Sequence, residues 1–499
     1  MIEYYSRPDT LNFLEIIADR AGQNPDHPAI EDGDKQLTYK ELIGRVGAAA
    51  ARFAKLGIRP KDVVGLRLRD HGDHFVAILA LGQLGAASVS LDWRSRPAET
   101  ARLISSLGLA VVVVEPGDQS IDSAACYRAS EIIRDGDDPV FSDGYTDSDD
   151  LPFKISLSSG TTGEPRGVAV THRQYAHRWL MNYANMGPWD QHGRILTAMP
   201  ICFIGGRNFP FFCLCSGKTL VIHPTLYSPE ELVESIHRLN ITSMLMGPTT
   251  VRALLDLAPE EGHLLSRLNP LTVGTAPLFG HEKHAIVRHL SPHFFENYST
   301  SGTGNITRLL TTDLRTKADS VGRPSIILDA RIVDDAGNTL PVGEPGLICV
   351  RGPSVPSDPE TTFFGYSEAD VAETLRDGWF YPGELGAFDQ DGYLYIKGRA
   401  TNVIIRGGAN IYPEEVEKVL LALPEIKDAA VIGQPSPQLG ETVAAFIVGG
   451  DDLDIDKIKR HCRQELSAYK VPESITVVAN LPRTTSGKIS KKDLLRRLA

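Results

Sequence analysis

Between Leu157 and Val168 the sequence reads Leu-Ser-Ser-Gly-Thr-Thr-Gly-Glu-Pro-Arg-Gly-Val. Ser158, Ser159, Thr161 and Thr162 bring four hydroxyls, Gly160, Gly163 and Gly167 three glycines, and Arg166 one cation. Glycines let backbone N–H groups wrap an anion, hydroxyls donate to phosphate oxygens, and a cation offsets phosphate charge. The apolar-leaning runs Phe153 to Leu157 and Val168 to Val170 read as strands on either side. A phosphate-holding loop between two strands is one reading of these residues, and a hairpin turn with incidental Ser and Thr is the other. The segment is not the G-x-x-x-x-G-K-[ST] loop. The later Gly487-Lys488 fails that pattern too, because Ile489 follows and Pro482 stands where its first glycine should be.

Further along come Gly274-Thr275-Ala276-Pro277-Leu278, Asn297-Tyr298, Gly378-Trp379-Phe380-Tyr381-Pro382-Gly383-Glu384, Gly398-Arg399, Gly407-Gly408-Ala409-Asn410-Ile411-Tyr412-Pro413, and Leu481-Pro482-Arg483-Thr484-Thr485-Ser486-Gly487-Lys488. Each alone reads as an ordinary turn or a solvated charge. In this order, over about residues 10–495, they resemble the motifs of the adenylate-forming superfamily, which holds acyl-CoA synthetases, peptide-synthetase adenylation domains and luciferases. The loop at Ser159 to Gly167 resembles its S-G-T-T-G-x-P-K-G signature, with Arg166 in the lysine position.

The resemblance implies ATP-dependent activation of an organic carboxylate and transfer of the acyl group to a thiol. The acceptor would be coenzyme A or, alternatively, the phosphopantetheine of a separate carrier protein. It implies that Ser158, Ser159, Gly160, Thr161, Thr162, Gly163 and Arg166 hold the phosphates. Thr161 would also bind Mg²⁺. Thr275, Ala276, Pro277, Asn297, Tyr298, Ser299 and Ser301 would surround the base and its neighbourhood, Glu384 and Arg399 would reach the ribose, and Gly407 and Gly408 would let the pantetheine approach. Lys488, Thr161 and Arg399 would be catalytic, while Phe203, Arg207, Met246 and Thr275 would line the acid. Four departures stand out. Gly302 replaces the glutamate that helps hold Mg²⁺, Glu384 replaces aspartate, Thr401 stands at the hinge position, and Phe203 stands where many members have histidine. A non-catalytic nucleotide- or acyl-binding relative is the reading that Gly302 favours, and the retained Lys488 and Arg399 oppose it. The loss of one carboxylate implies a raised Mg²⁺ requirement, because this ion commonly keeps water and phosphate ligands with only one or two protein oxygens.

The elements that must position these residues follow from periodicity. Val63 to Leu68, Ala87 to Leu91 and Ala110 to Glu115 read as strands alternating with helices at Asp73 to Leu84 and Pro97 to Leu107. The same rhythm returns over 219–300. Such alternation implies mostly parallel, doubly wound sheets. Between about 320 and 397, short alternating runs separated by Gly, Asp and Pro imply a β-barrel-like antiparallel subdomain. The expected fold is therefore α/β: a large domain over 1–397 and a small mobile α+β domain over 398–499.

The chain has 499 residues and a net charge of -12, which argues against general nucleic-acid binding. No apolar run is long enough to span a bilayer. The stretch Met1 to Phe13 lacks the basic and apolar regions of a signal peptide, and none of the six cysteines forms a CxxC pair. These features imply a cytoplasmic enzyme with reduced thiols.

Overall fold

The structure is a computed structural model and describes residues 12–118, 124–134, 149–159, 165–186, 193–450, 453–483 and 489–498. Four sheets organise the chain. The first has seven strands in the order Phe363–Phe364, Pro165–Thr171, Pro152–Ser159, Ala87–Ser90, Val63–Arg67, Val111–Val114, Ala125–Arg128. Its last five strands are parallel neighbours, and the first two joins are antiparallel. The second has nine strands, with a parallel centre running from Phe294–Thr300 through Leu271–Val273, Ser243–Met246, Arg194–Thr197 and Thr219–Ile222 to Pro28–Asp32. The expected parallel, doubly wound architecture is present in both.

Helix Gly72–Gln83 shows why the two sheets stay together. All but one of its twelve residues are buried. A helix that is apolar on every side belongs inside a protein. It shares one core with residues from both sheets, Val64, Leu66, Phe153 and Val170 on one side and Ile30, Ile195, Leu220 and Ile222 on the other. Phe153 sits in an aromatic cluster there, 4.4 Å from Phe13, 5.4 Å from Tyr175 and 5.8 Å from Phe211 between ring centroids. Helices Phe13–Gln23, Tyr39–Lys55, His172–Met186 and Ile204–Cys215 contribute to the same core. Around it, side-chain caps fix helix starts: Thr38 with Glu41 and Ser228 with Glu231 form reciprocal capping boxes.

The third sheet is antiparallel and has six strands, including Gly346–Arg351, Glu384–Phe388 and Leu394–Arg399. The fourth lies wholly within residues 404–477 and packs helices Pro413–Leu421 and Ile455–Glu465 over its own core of Ile404, Val416, Leu420, Val431 and Ile458. It meets the rest of the chain at contacts such as Lys418 Nζ to Asp319 Oδ2 at 2.9 Å. Among the described residues no helix is long and apolar enough to cross a membrane.

Phe153→Ala removes a fully buried ring from the centre of the shared core. It is expected to cost about 3–5 kcal/mol, read as a lower urea midpoint for unfolding of the large domain. An unchanged midpoint would mean that this cluster does not join the two sheets.

Candidate active site

Parallel strands of the second sheet end together, and the crevice outside such ends is where α/β folds bind ligands. Strand Leu271–Val273 ends at Gly274, and its neighbour Phe294–Thr300 carries Asn297 and Tyr298. Thr275, Ala276 and Pro277 are exposed there, and Thr275 has φ 78°, a left-handed conformation unusual for a β-branched residue. Asn297 Nδ2 donates to Asn305 Oδ1 at 2.9 Å, which orients its amide.

Glu384 lies at the start of a strand in the third sheet, directly opposite Arg399 in register. The Tyr298 hydroxyl donates a short hydrogen bond to Glu384 Oε2, and Arg399 Nε lies 3.9 Å from Oε1. Burial, reinforced by the adjacent Glu384 carboxylate, pushes the Tyr298 hydroxyl well above its ordinary pKa, so it stays a donor. The structure brings Tyr298, Glu384 and Arg399 into contact, and the exposed Thr275–Pro277 turn starts from Gly274, which abuts Asn297. Ser299, exposed, continues the strand after Tyr298, and Ser301, half-buried, opens the turn that follows it.

Arg166 follows the phosphate-loop segment on strand Pro165–Thr171. Its Nη2 lies 2.7 Å from Asp370 Oδ2, and its guanidinium stacks over the Tyr366 ring at 5.1 Å. Ser158 and Ser159 end the facing strand. Gly160, Thr161, Thr162, Gly163 and Lys488 lie outside the described residues. Gly407 and Gly408 form the turn between strands Ile404–Arg406 and Ala409–Ile411, with φ 57° and 86°. Two successive positive φ values are what a tight two-residue hairpin turn demands, and glycine meets them without strain.

The position of the family's metal-binding glutamate is closed. A Cβ at Gly302 would collide with the Phe380 ring, and the Gly302 carbonyl accepts a short hydrogen bond from Arg178 Nη2. Arg178 Nε also donates to Ser354 O at 3.0 Å. The described residues contain no group of three or more His, Cys, Asp or Glu side chains that could hold a metal.

On the proposed acid side, Phe203 precedes helix Ile204–Cys215 and has the Arg94 guanidinium 5.8 Å from its ring. Met246 is buried in a core of the second sheet, whereas Leu245, pointing to the other face, packs towards Gly205 of that helix. Gly247, next along, abuts Thr275. Sequence reasoning missed Leu245, and strand alternation after Met244 would have been the signal. Arg207 is fully buried near Lys154, Tyr175, His74 and Cys202, and among the described residues its Nε and Nη1 have no acceptor. Burial is the main cause that pushes Arg178 down to about 10 and His74 down to about 3 and lowers Lys154 and Arg207; nearby cations add to it at His74 and Lys154.

Residues 17–357 match the model of the AMP-binding enzyme family, and residues 415–488 match that of the AMP-binding enzyme C-terminal domain. The chain belongs to the AMP-binding enzyme family. It is 31% identical over 489 residues to a feruloyl-CoA synthase of Amycolatopsis sp., covering 96% of this chain and 97% of that one. It is 30% identical over 480 residues to a 2-succinylbenzoate–CoA ligase of Bacillus licheniformis, covering 95% and 98%. Among solved structures, the o-succinylbenzoate CoA synthetase MenE of Bacillus subtilis, in complex with the acyl-adenylate intermediate OSB-AMP, aligns with a TM-score of 0.86 at 25% identity, covering 97% of this chain and 98% of that chain. The adenylate-forming resemblance read from the motifs thus holds along nearly the whole chain.

Two outcomes follow from this geometry. Glu384→Gln is expected to weaken binding of both ATP and AMP about tenfold, since a charge-assisted acceptor is lost. Unchanged affinity in calorimetry would remove Glu384 from the ribose site. Gly302→Glu forces Phe380 aside and is expected to destabilise the fold by about 1–3 kcal/mol. It would not create a metal ligand; a drop in the Mg²⁺ requirement together with wild-type stability would contradict the closed geometry.

Proposed function

We propose that this enzyme uses ATP to activate an organic carboxylate as an acyl-adenylate and then passes the acyl group to coenzyme A. The observation that carries this reading is the convergence of Tyr298, Glu384 and Arg399 beside the exposed Thr275–Pro277 turn, in a chain of this family. Relatives named as CoA ligases for aryl and arylalkyl acids, spanning almost their full length, support coenzyme A as acceptor. A separate acyl carrier protein is the alternative acceptor.

A carboxylate is a poor acyl donor because its oxygen is a poor leaving group. In the first half-reaction a carboxylate oxygen attacks the α-phosphorus of ATP, forming the acyl–phosphate bond as the bond to pyrophosphate breaks. Both reactants are anions, so the protein must supply fixed donors and positive charge. In this reading Ser158 to Thr162 and Arg166 hold the terminal phosphates, Tyr298 packs on the base, Glu384 accepts from the ribose hydroxyls, and Lys488 spans the carboxylate and the α-phosphate. Mg²⁺ would neutralise phosphate charge, with Thr161 as its protein ligand. In the second half-reaction the thiol sulfur attacks the acyl carbon and AMP leaves.

The division into 1–397 and 398–499 belongs to the same reading. The small domain would turn about the segment near Thr401, withdrawing Lys488 and presenting the Gly407-Gly408 turn to the pantetheine. In the present orientation Gly398 is packed tightly against the Glu414 carboxylate, whose pKa is raised by burial. Any turn of the domain must first separate these two.

Pyrophosphate release with a panel of aryl, arylalkyl and aliphatic acids tests the activity directly. Lys488→Ala is expected to lower adenylation about a hundred- to thousand-fold while ATP binding persists. A wild-type adenylation rate in this variant would overturn the assignment of Lys488. No turnover by the wild-type enzyme with any acid would favour a non-catalytic nucleotide-binding protein.

A further inference from the structure

The segment from Phe363 to Glu384 backs three parts of the nucleotide site. Phe363 and Phe364 add a short strand to the outer edge of the phosphate-loop hairpin, opposite Val168 and Gly167. The Phe380 ring closes on Gly302. Glu384 ends the segment at Tyr298 and Arg399. Between these points lies an arrangement centred on Arg166.

Asp370 Oδ2 accepts from Arg166 Nη2 at 2.7 Å, from Ser367 Oγ at 2.5 Å and from Ser367 N at 3.3 Å. Ser367 Oγ in turn accepts from Asp370 N at 3.2 Å, the capping box of helix Glu368–Thr374. The carboxylate is thus tied to its own helix start before it meets the arginine. Ser367 first, with Arg166 adding to it, holds the Asp370 carboxyl below its ordinary pKa, so it stays an anion at neutral pH. Tyr366 is fixed as well: its ring packs 4.9 Å from Phe363, which belongs to the strand pair. The Arg166 side chain retains 14% exposure.

A guanidinium carries five N–H donors in a rigid planar fork. It can therefore stack on a ring, hold one carboxylate and meet a phosphate in a fixed orientation. An ammonium on a flexible stem has no such preferred plane.

We propose that Tyr366 and Asp370 are positioning residues that hold the Arg166 guanidinium, on the strand Pro165–Thr171, in the orientation that meets the β- and γ-phosphates of ATP. This rests on reading residues 158–166 as the phosphate loop. Neither residue touches the reacting atoms. Their effect is confined to ligands that carry the terminal phosphates, because AMP does not extend to Arg166.

The test compares calorimetric binding of ATP and AMP, each with magnesium chloride, to the full-length protein. Asp370→Asn is expected to weaken ATP about fivefold and to change AMP less than about twofold. Asp370→Glu recovers at least half of the loss. In an Arg166→Lys background, Asp370→Asn changes ATP affinity less than about twofold, since the fork it orients is gone. Equal weakening of ATP and AMP, no change in either, or tighter ATP binding would overturn the proposal. The last of these would make Asp370 a competitor of the phosphate. Should Asp370→Asn fail to fold through loss of its cap, Tyr366→Leu carries the same test with the same expected ATP-selective loss. Arg166→Ala separates the two layers of the argument. If it leaves ATP affinity unchanged, the phosphate-loop reading fails. If it weakens ATP while Asp370→Asn and Tyr366→Leu do not, only the positioning role fails.

Discussion

The Glu384 carboxylate is the junction on which the candidate site depends. One oxygen takes the Tyr298 hydroxyl from the second sheet, and the other faces Arg399 on the neighbouring strand of the third. Arg399 is the last residue before the chain turns towards the small domain. A single anion therefore links the strand that carries Tyr298 to two strands of the antiparallel sheet. The extra methylene of glutamate over aspartate lets the carboxylate reach Tyr298 across the gap between two sheets.

Around this junction the large domain is close-packed, and the packing leaves no room for the side chain that the family pattern places after Tyr298. Phe380 fills the space beside Gly302, and Arg178 takes its carbonyl. Lys154, Arg178 and Arg207 are all buried, and among the described residues Lys154 and Arg178 donate to neutral acceptors, Asn208, Gly302 and Ser354. An arginine does not escape such a site by losing its proton. The positive charge of Arg178 lies beside the Gly302 carbonyl.

Much of this was legible in the chain. Strands Val63–Arg67, Ala87–Ser90 and Val111–Val114 and helix Pro97–Leu107 fall within a residue or two of their periodicity-based limits, because each is a short apolar run bounded by turn residues. Helix Ile204–Cys215 was not legible. It holds Pro210 and three phenylalanines, a composition with little helical preference; burial between two sheets decides its conformation. The same limit affected Met246. Periodicity located its strand, but only the position of the neighbouring helix decided that Leu245 faces Gly205 while Met246 enters a core. A strand's two faces exchange with a slip of one residue.

The sequence by itself determined the family, the order of the motifs and the chemistry that their residue types permit, because glycine turns, hydroxyls and isolated cations at fixed spacings are local properties. Tertiary structure alone decided which side chains meet. Tyr298 and Glu384 are 86 residues apart, and Arg166 and Asp370 are 204 apart. Arg166 meets Asp370 beside the pairing of Phe363–Phe364 with Pro165–Thr171, and Tyr298 meets Glu384 where two different sheets pack together; contacts across such separations follow from packing the whole domain rather than from any local preference.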